Sequence, residues 1–496
     1  MRKAMQILTI DVGTGSVRAG LVGLDGRVRA LNAVPHSTSY PRHAWAEQRP
    51  IDWWHGARKA IAATLAEAPG SEIAGVACCG QMHAPVLVDK TNALVRETVP
   101  LWNDKRAADL TRELDDRFAA GPSPRPANPA TSAWPGVKLA WMARNDPGAL
   151  ADAHKLLMPK DWMNLRLCGE IAMDWTEAGS SFLSDPDTRT WSGGCARVLG
   201  IDPGILSPLL PCDSVLGGIT AQAAEETGLP EGLPVFVGAG DYPASILGSG
   251  VTRTGQVSDI TGTSFLLTSL TGAPILRPDV MNVATATPGW GAFAVVDAAG
   301  DAVRWASRAL DRNMRGYEEL SAEAASVRAG ADGLVFLPYL TGERLGQGAG
   351  SRGAFLGLTA QHGSAHLHRA VMEGIVLAMR QAYAPIAQVA GDPSSIVSAA
   401  GGARSDLLLS IKANFFGCPI EVTEEPEAGL IGTACLAFAG LGQFASPAEA
   451  ASALVRYRAP ITPDLQVQEV YEGLATTFAS IRGVMPDINA ALGKRQ

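Results

Sequence analysis

Residues 6–10, Gln-Ile-Leu-Thr-Ile, read as a strand, and residues 11–16, Asp-Val-Gly-Thr-Gly-Ser, as a tight polar loop. Residues 17–24 read as a second strand, closed by an Asp25-Gly26 turn, with a third strand at 27–33. Strand, Gly-rich loop and strand make a hairpin. That start differs from the strand, loop and helix of a Rossmann or P-loop unit. The chain must therefore build on an antiparallel meander with a polar, glycine-rich tip.

The rest of the chain mixes the two periodicities. Residues 51–67 have helical spacing, 73–79 form a buried-type strand ending in Gly80, and 85–89 form another strand. The segment 121–136 carries prolines at 122, 124, 126, 129 and 135 and reads as loop. Helices are expected near 137–145 and 147–154, and another opens at Pro159. Residues 234–240 read as a strand with a Gly-rich end, and the main boundary is placed just after it, near 245–255. Strands near 256–270, helices near 301–329, a strand at 333–337 and a long helix at 364–390 follow. A strand at 396–399, a helix at 405–416 and a helix after Gly429 complete the series. The class is α/β. A chain of 496 residues has room for two or three domains, and the reading here is two, 1–248 and 249–496.

Composition narrows the function. Hydrophobic residues make up 47% and charged residues 18%, which argues against a disordered chain. A net charge of -8 argues against nucleic acid and against an anionic membrane as partners, because both need a basic field. It leaves room for a small phosphorylated ligand held by backbone N–H groups. The seven cysteines form no CxxC pair, and a reduced, cytoplasmic protein is expected. Apolar stretches are broken well before the ~18 residues of a membrane span. The opening Met1–Ile10 has no small-residue cleavage site after it, so no secretion signal is expected.

Four clusters carry candidate chemistry. In Asp11-Val-Gly-Thr-Gly-Ser16, Gly13 and Gly15 let backbone approach a phosphate, Thr14 and Ser16 add hydroxyls, and Asp11 can hold a hydrated Mg2+. The plainer alternative is a hairpin turn with an Asp cap. In Gly238-Ala-Gly-Asp241, a carboxylate just past a strand can act as general base, or merely cap a helix. Gly80-Gln-Met82-His83 and Leu101-Trp102-Asn-Asp104 place polar and aromatic groups past strand ends, as a sugar site needs; alternatively His83 satisfies only a loop backbone. Ala400-Gly401-Gly402-Ala403 can admit a flat base or ribose, or be a bare strand-to-helix turn. Thr261-Gly262-Thr263-Ser264 echoes Gly13–Ser16, and two such loops can hold one polyphosphate from both sides. His362, His366 and His368 lack an HExxH glutamate and are expected to cap and pack rather than bind metal.

In order along the chain, these segments resemble the FGGY family of carbohydrate kinases. The resemblance rests on Ile10–Ser16, Gly80–His83, Leu101–Asp104, Gly240-Asp241, Gly262–Ser264, Leu337–Arg344, Arg352–Leu358 and Gly401–Ser405. It implies two ribonuclease-H-like, actin-like ATPase domains with ATP and sugar in an interdomain cleft. It implies Asp241 as catalytic base and Asp11 as the Mg2+-associated aspartate. Gly13, Thr14, Gly262 and Thr263 match the phosphate loops, and Gly401 and Gly402 the adenosine turn. Met82, His83, Trp102, Asp104 and Tyr242 would line the sugar site, which is most similar to that of xylulokinases. A homodimer is implied as well, although no interface is readable. Tyr242 and Pro243 stand where xylulokinases usually place Asn after the base. The expected substrate is a ketopentose such as D-xylulose, with ribulose, a sugar acid or a polyol as the alternative. A rival of another class is an actin- or Hsp70-like ATPase.

Overall fold

The computed structural model describes residues 5–121, 125–310, 315–345 and 350–493. Of the proline segment read as loop, residues 122–124 lie outside the described residues, as does Gly346. The chain divides into two compact units. One comprises Met1–Thr252, Gly272–Gly291 and Glu427–Val455, and the other Arg253–Thr271, Ala292–Pro426 and Arg456–Gln496. A single cut at 248/249 therefore leaves out two later segments that return to the first unit.

The first unit is built on a six-stranded sheet. Its strands are β1 (Met5–Val12), β2 (Ser16–Gly23), β3 (Val28–Pro35), β4 (Glu72–Gly80), β5 (Val215–Gly218) and β6 (Pro234–Gly240), in the order β5-β6-β4-β1-β2-β3. β1, β2 and β3 form the expected antiparallel meander, while β4 runs parallel to β1 and β6 parallel to β4. The strands are apolar on both faces, so the sheet is covered on both. Leu8, Ile10, Val12, Val76 and Cys78 meet Trp53, Trp54 and Ile61 of helix Pro50–Glu67, together with Trp162. Ile7, Ala77, Cys79 and Phe236, one residue out of phase, meet Leu430, Ile431, Ala434 and Phe438 of helix Ala428–Gly440. The period of two along each strand thus separates two cores.

Helix Ala428–Gly440 also crosses helix Asp241–Gly248 at close range. A Cβ on Gly432 would lie 1.8 Å from the Ala244 carbonyl oxygen, and one on Gly248 would lie 1.8 Å from that of Ala428. Only glycine permits that approach, which explains why the 427–455 segment packs here. Gly432→Ala should lower stability by about 2–3 kcal/mol through overpacking, read as a shift in the denaturant midpoint at unchanged slope.

The second unit repeats the plan. Its strands are β7 (Val257–Thr261), β8 (Phe265–Thr271), β9 (Trp290–Val296), β10 (Ile396–Ala399), β11 (Ile420–Thr423) and β12 (Tyr457–Ile461), in the order β9-β8-β7-β10-β11-β12. β7 and β8 are antiparallel, and β10 and β11 run parallel to β7 and to each other. The loops singled out as echoes, 13–16 and 261–264, occupy the same place in the two plans, at the first hairpin of each sheet.

The described helices include none long and apolar enough to cross a membrane. All seven cysteines are free and buried. His366 accepts the Gly363 N–H at 3.2 Å and so caps helix Ser364–Ala390, and His368 is buried within it.

Candidate active site

Three strand ends of the first unit bring the candidates together. Val12 of β1 is in register with Gly80 of β4, and Gly80 with Gly240 of β6. The three strands are parallel, so Gly13-Thr14, Gln81-Met82-His83 and Asp241-Tyr242 all emerge at their carboxyl ends. Open α/β sheets bind ligands at that edge.

The first loop is held rigidly. The Gly13 N–H donates to Ser16 O at 3.0 Å, closing the turn. Gln48 Nε2 donates to the Thr14 carbonyl at 2.7 Å, and Trp102 Nε1 donates to the Thr14 hydroxyl at 3.0 Å. Gln48 is itself fixed, because its Oε1 accepts from Trp53 Nε1 at 2.9 Å and from Gln81 Nε2 at 2.8 Å. His36 Nε2 lies 3.1 Å from the Gly13 carbonyl. Gly15 remains exposed at the tip.

Asp11 sits opposite Arg18 across the β1–β2 ladder. Arg18 donates to Asp11 Oδ2 from Nε at 3.1 Å and from Nη2 at 2.5 Å, and to Glu427 Oε2 from Nη1 at 2.5 Å. The Asp11 charge is the main reason the guanidinium is held more basic than usual. Asp11 is buried, and its Oδ1 has no hydrogen-bond partner. A carboxylate with one oxygen paired and the other bare suits a hydrated Mg2+, which takes only one or two protein carboxylates and keeps its waters. The described residues contain no group of three or more His, Cys, Asp or Glu able to hold a metal by themselves.

Asp241 is the first residue of helix Asp241–Gly248, and its Oδ1 accepts the Tyr242 N–H at 2.7 Å. Close packing strips water from the carboxyl, the Asp11 charge adds repulsion, and together they push it up to about 7. Met82 packs on the backbone just before it: a Cβ on Gly240 would lie 2.7 Å from Met82 Cγ. His83 takes a left-handed backbone, φ 70°, that non-glycine residues rarely adopt. Its carbonyl accepts from the buried Lys138 Nζ at 3.0 Å, and its ring meets Trp134 edge-on at 5.0 Å. Tyr242 follows Asp241 in the first turn of the helix and is half-buried.

Asp104 corrects the sequence reading. It is fully buried, with one oxygen accepting from Ala46 N–H at 2.7 Å and from Arg106 Nη2 at 2.8 Å. The other accepts from Arg106 N–H at 3.0 Å and Nε at 2.8 Å. No lone pair is left for a sugar hydroxyl, so Asp104 braces the loop instead. The indole N–H of Trp102 holds Thr14.

The remaining candidates gather in the second unit. Gly262 and Thr263 are exposed at the β7–β8 turn, where Thr263 O accepts the Ala299 N–H at 3.1 Å. Gly401 and Gly402 follow β10. A Cβ on Gly402 would lie 2.4 Å from Thr261 Cβ, so the turn is pressed against the end of β7. Lys412, buried, donates to Asp259 Oδ2 at 2.5 Å and to Thr261 Oγ1 at 2.9 Å, fixing that strand end. Gln48, Lys138 and Lys412 were not singled out from sequence, because each acts on a segment far away along the chain, and Arg18 because its bond to Asp11 depends on the register of the β1–β2 hairpin.

Comparison with known proteins decides the family. The model of the FGGY carbohydrate kinase N-terminal domain matches residues 6–248, and that of the C-terminal domain matches residues 258–441. The chain belongs to the FGGY family of carbohydrate kinases. As a member of that family it transfers a phosphoryl group from ATP to a sugar, and the readings as motor-like ATPase are set aside. The xylulose kinase of Bacillus subtilis is 27% identical over 493 residues, covering 98% of each chain. The crystal structure of xylulose kinase from Rhodospirillum rubrum superimposes with a TM-score of 0.87 at 31% identity, over 98% of this chain and 100% of that one. The gluconate kinase of Lactobacillus acidophilus reaches a TM-score of 0.90 at 22% identity over 99% of this chain and 100% of that one, a likeness of fold alone.

Proposed function

We propose that this kinase phosphorylates a terminal hydroxyl of D-xylulose, with Asp241 as general base. The observation that carries the reading is Asp241 at the strand-end cluster beside Asp11, with its carboxyl raised to about 7. A base near neutrality balances availability against proton affinity. Similarity to xylulose kinases along nearly the whole chain supports the choice of sugar.

Residues 1–248 would supply the sugar site, the first phosphate loop and the base, and residues 249–496 the nucleotide site. Met82, His83 and Tyr242 would contact the sugar, with the indole ring of Trp102 beside them. Asp241 accepts the proton of the attacking hydroxyl. Thr14 offers its backbone N–H to the transferring phosphate, Gly13 forms the closed turn that presents it, and Gly262 and Thr263 form the second phosphate loop. Gly401 and Gly402 admit the adenosine. Asp11 Oδ1 and the phosphates would hold Mg2+ through its waters. When bound, the metal supplies positive charge against the β- and γ-phosphates. No covalent intermediate on the protein is needed, since the protein contributes position and charge.

Two outcomes check this. The kcat/KM for sugar should fall about tenfold per pH unit below the Asp241 value of about 7 and level off above it, because a raised acid is protonated, and useless as a base, until the pH passes that value. An ADP-release screen with D-xylulose, D- and L-ribulose, L-xylulose, glycerol, erythritol and gluconate should give its highest kcat/KM with D-xylulose. A clear preference for another compound would assign Tyr242, the departure beside the base, to a different substrate.

A further inference from the structure

The strand that delivers Asp241 is irregular just before it. Phe236 and Ala239 of β6 face Ala77 and Cys79 of β4, so β6 carries an extra residue in a bulge at Val237-Gly238. Bulges beside active sites re-aim the side chains that follow. Gly238 has φ 75°, and a Cβ there would lie 1.9 Å from the Cys78 carbonyl oxygen, so the bulge tolerates no other residue. The Val237 carbonyl, turned out of the ladder, accepts from Asn164 Nδ2 at 2.9 Å and from Lys160 Nζ at 3.3 Å.

Lys160 belongs to a wholly buried charged group. Its ammonium lies 2.7 Å from Asp174 Oδ2 and also pairs with Asp161, and none of the three side chains reaches solvent. Asp174 caps helix Trp175–Gly179, accepting the Thr176 N–H at 2.7 Å and the Thr176 hydroxyl on Oδ1. With its proton given to Asp174, the Thr176 hydroxyl has a lone pair for the Gly240 N–H, at 2.9 Å. Gly240 is the residue immediately before Asp241. Glu177, next on the helix, is fully buried with neither carboxyl oxygen partnered, and burial pushes it well above the usual carboxylate range.

We propose that Thr176, oriented by the buried Lys160–Asp174 pair, is a positioning residue for Asp241, fixing through the Gly240 N–H the backbone from which the base projects. The proposal rests on the reading of Asp241 as base. Its chain of contacts is continuous: Lys160 to Asp174, Asp174 to the Thr176 hydroxyl, Thr176 to Gly240. Lys160 also touches that strand directly, at the Val237 carbonyl, so the bulge and, through Asp174 and Thr176, its exit are held from one buried charge.

The test compares Thr176→Val, which keeps shape but removes the hydroxyl, with Thr176→Ser, which keeps the hydroxyl. Thr176→Ala stands in should the valine variant not fold, and rates are taken per folded chain by circular dichroism. The valine variant should lose kcat by about 100-fold, the scale of a base displaced by an ångström, with KM for sugar and ATP changed less than about threefold. The serine variant should recover most of that loss. A purely structural threonine would lower the melting temperature and leave kcat per folded chain alone, and that result overturns the proposal. Equal damage in the serine and valine variants overturns it too. Asp241→Asn runs alongside: if that variant keeps wild-type kcat, the reading of Asp241 is what has failed.

Discussion

Asp241→Asn should lower kcat about 1,000-fold, within the range that a general base contributes, while KM for sugar and ATP stays within about threefold. The amide keeps the shape of the carboxyl and can still accept the Tyr242 N–H. It has no lone pair basic enough to take the hydroxyl proton. The same substitution should not harm the fold. A carboxyl whose value is raised on folding to about 7 favours the folded chain at low pH and loses that benefit as pH rises through about 7. Above that pH the wild type carries a poorly hydrated charge beside Asp11. Asp241→Asn removes it, so at pH 8 the variant should melt no lower than wild type. Lost turnover with undiminished stability is the signature of a site that gives up stability for function. Steady-state kinetics and a melting curve at pH 8 check both halves.

Lys160→Met should destabilise the chain by about 3–5 kcal/mol at pH 8, as expected when one partner of a buried ion pair is removed. Methionine fills much the same space, so the effect is electrostatic rather than a cavity. Lys160 is the cation that faces Asp161 and Asp174, both at 0% side-chain exposure. Without it, two carboxylates share a dry interior with Glu177. Burial already raises the Asp161 carboxyl, so its protonation relieves the repulsion and the loss should shrink as pH falls from 8 towards 5.5. Urea unfolding at the two pH values measures it. A Lys160→Met chain as stable as wild type at pH 8 would mean that the cluster contributes nothing to holding β6.

The fold was readable where signals are local. The β1–β2–β3 meander, helix Pro50–Glu67 and helix Ser364–Ala390 follow from short-range periodicity and turn residues. Asp11 and Asp241 could be singled out as candidates because each stands near a strand end close to glycines. Strands such as Trp290–Val296 and helix Leu465–Gly493 escaped notice. The first is rich in small residues, and the second contains Gly473, Gly483 and Pro486, which blur its period. Asp104 misled because residue type does not say which way a side chain turns, and Arg106 two residues on claims it. Thr176 was invisible for the opposite reason. Its partner Gly240 is 64 residues away, and nothing in a threonine beside a tryptophan announces that contact. The return of 427–455 to the first unit depends on Gly248 and Gly432 meeting, a pair far apart in sequence that only the folded chain brings into contact.

The most direct measurement is phosphorus NMR of a reaction containing the protein, Mg-ATP and D-xylulose, followed to completion. The account expects ADP and a single new phosphate ester on the terminal carbon of the sugar to appear in equal amounts, at a rate that collapses with Asp241→Asn. ADP accompanied by inorganic phosphate with no sugar ester, or an ester formed equally fast by Asp241→Asn, would contradict it.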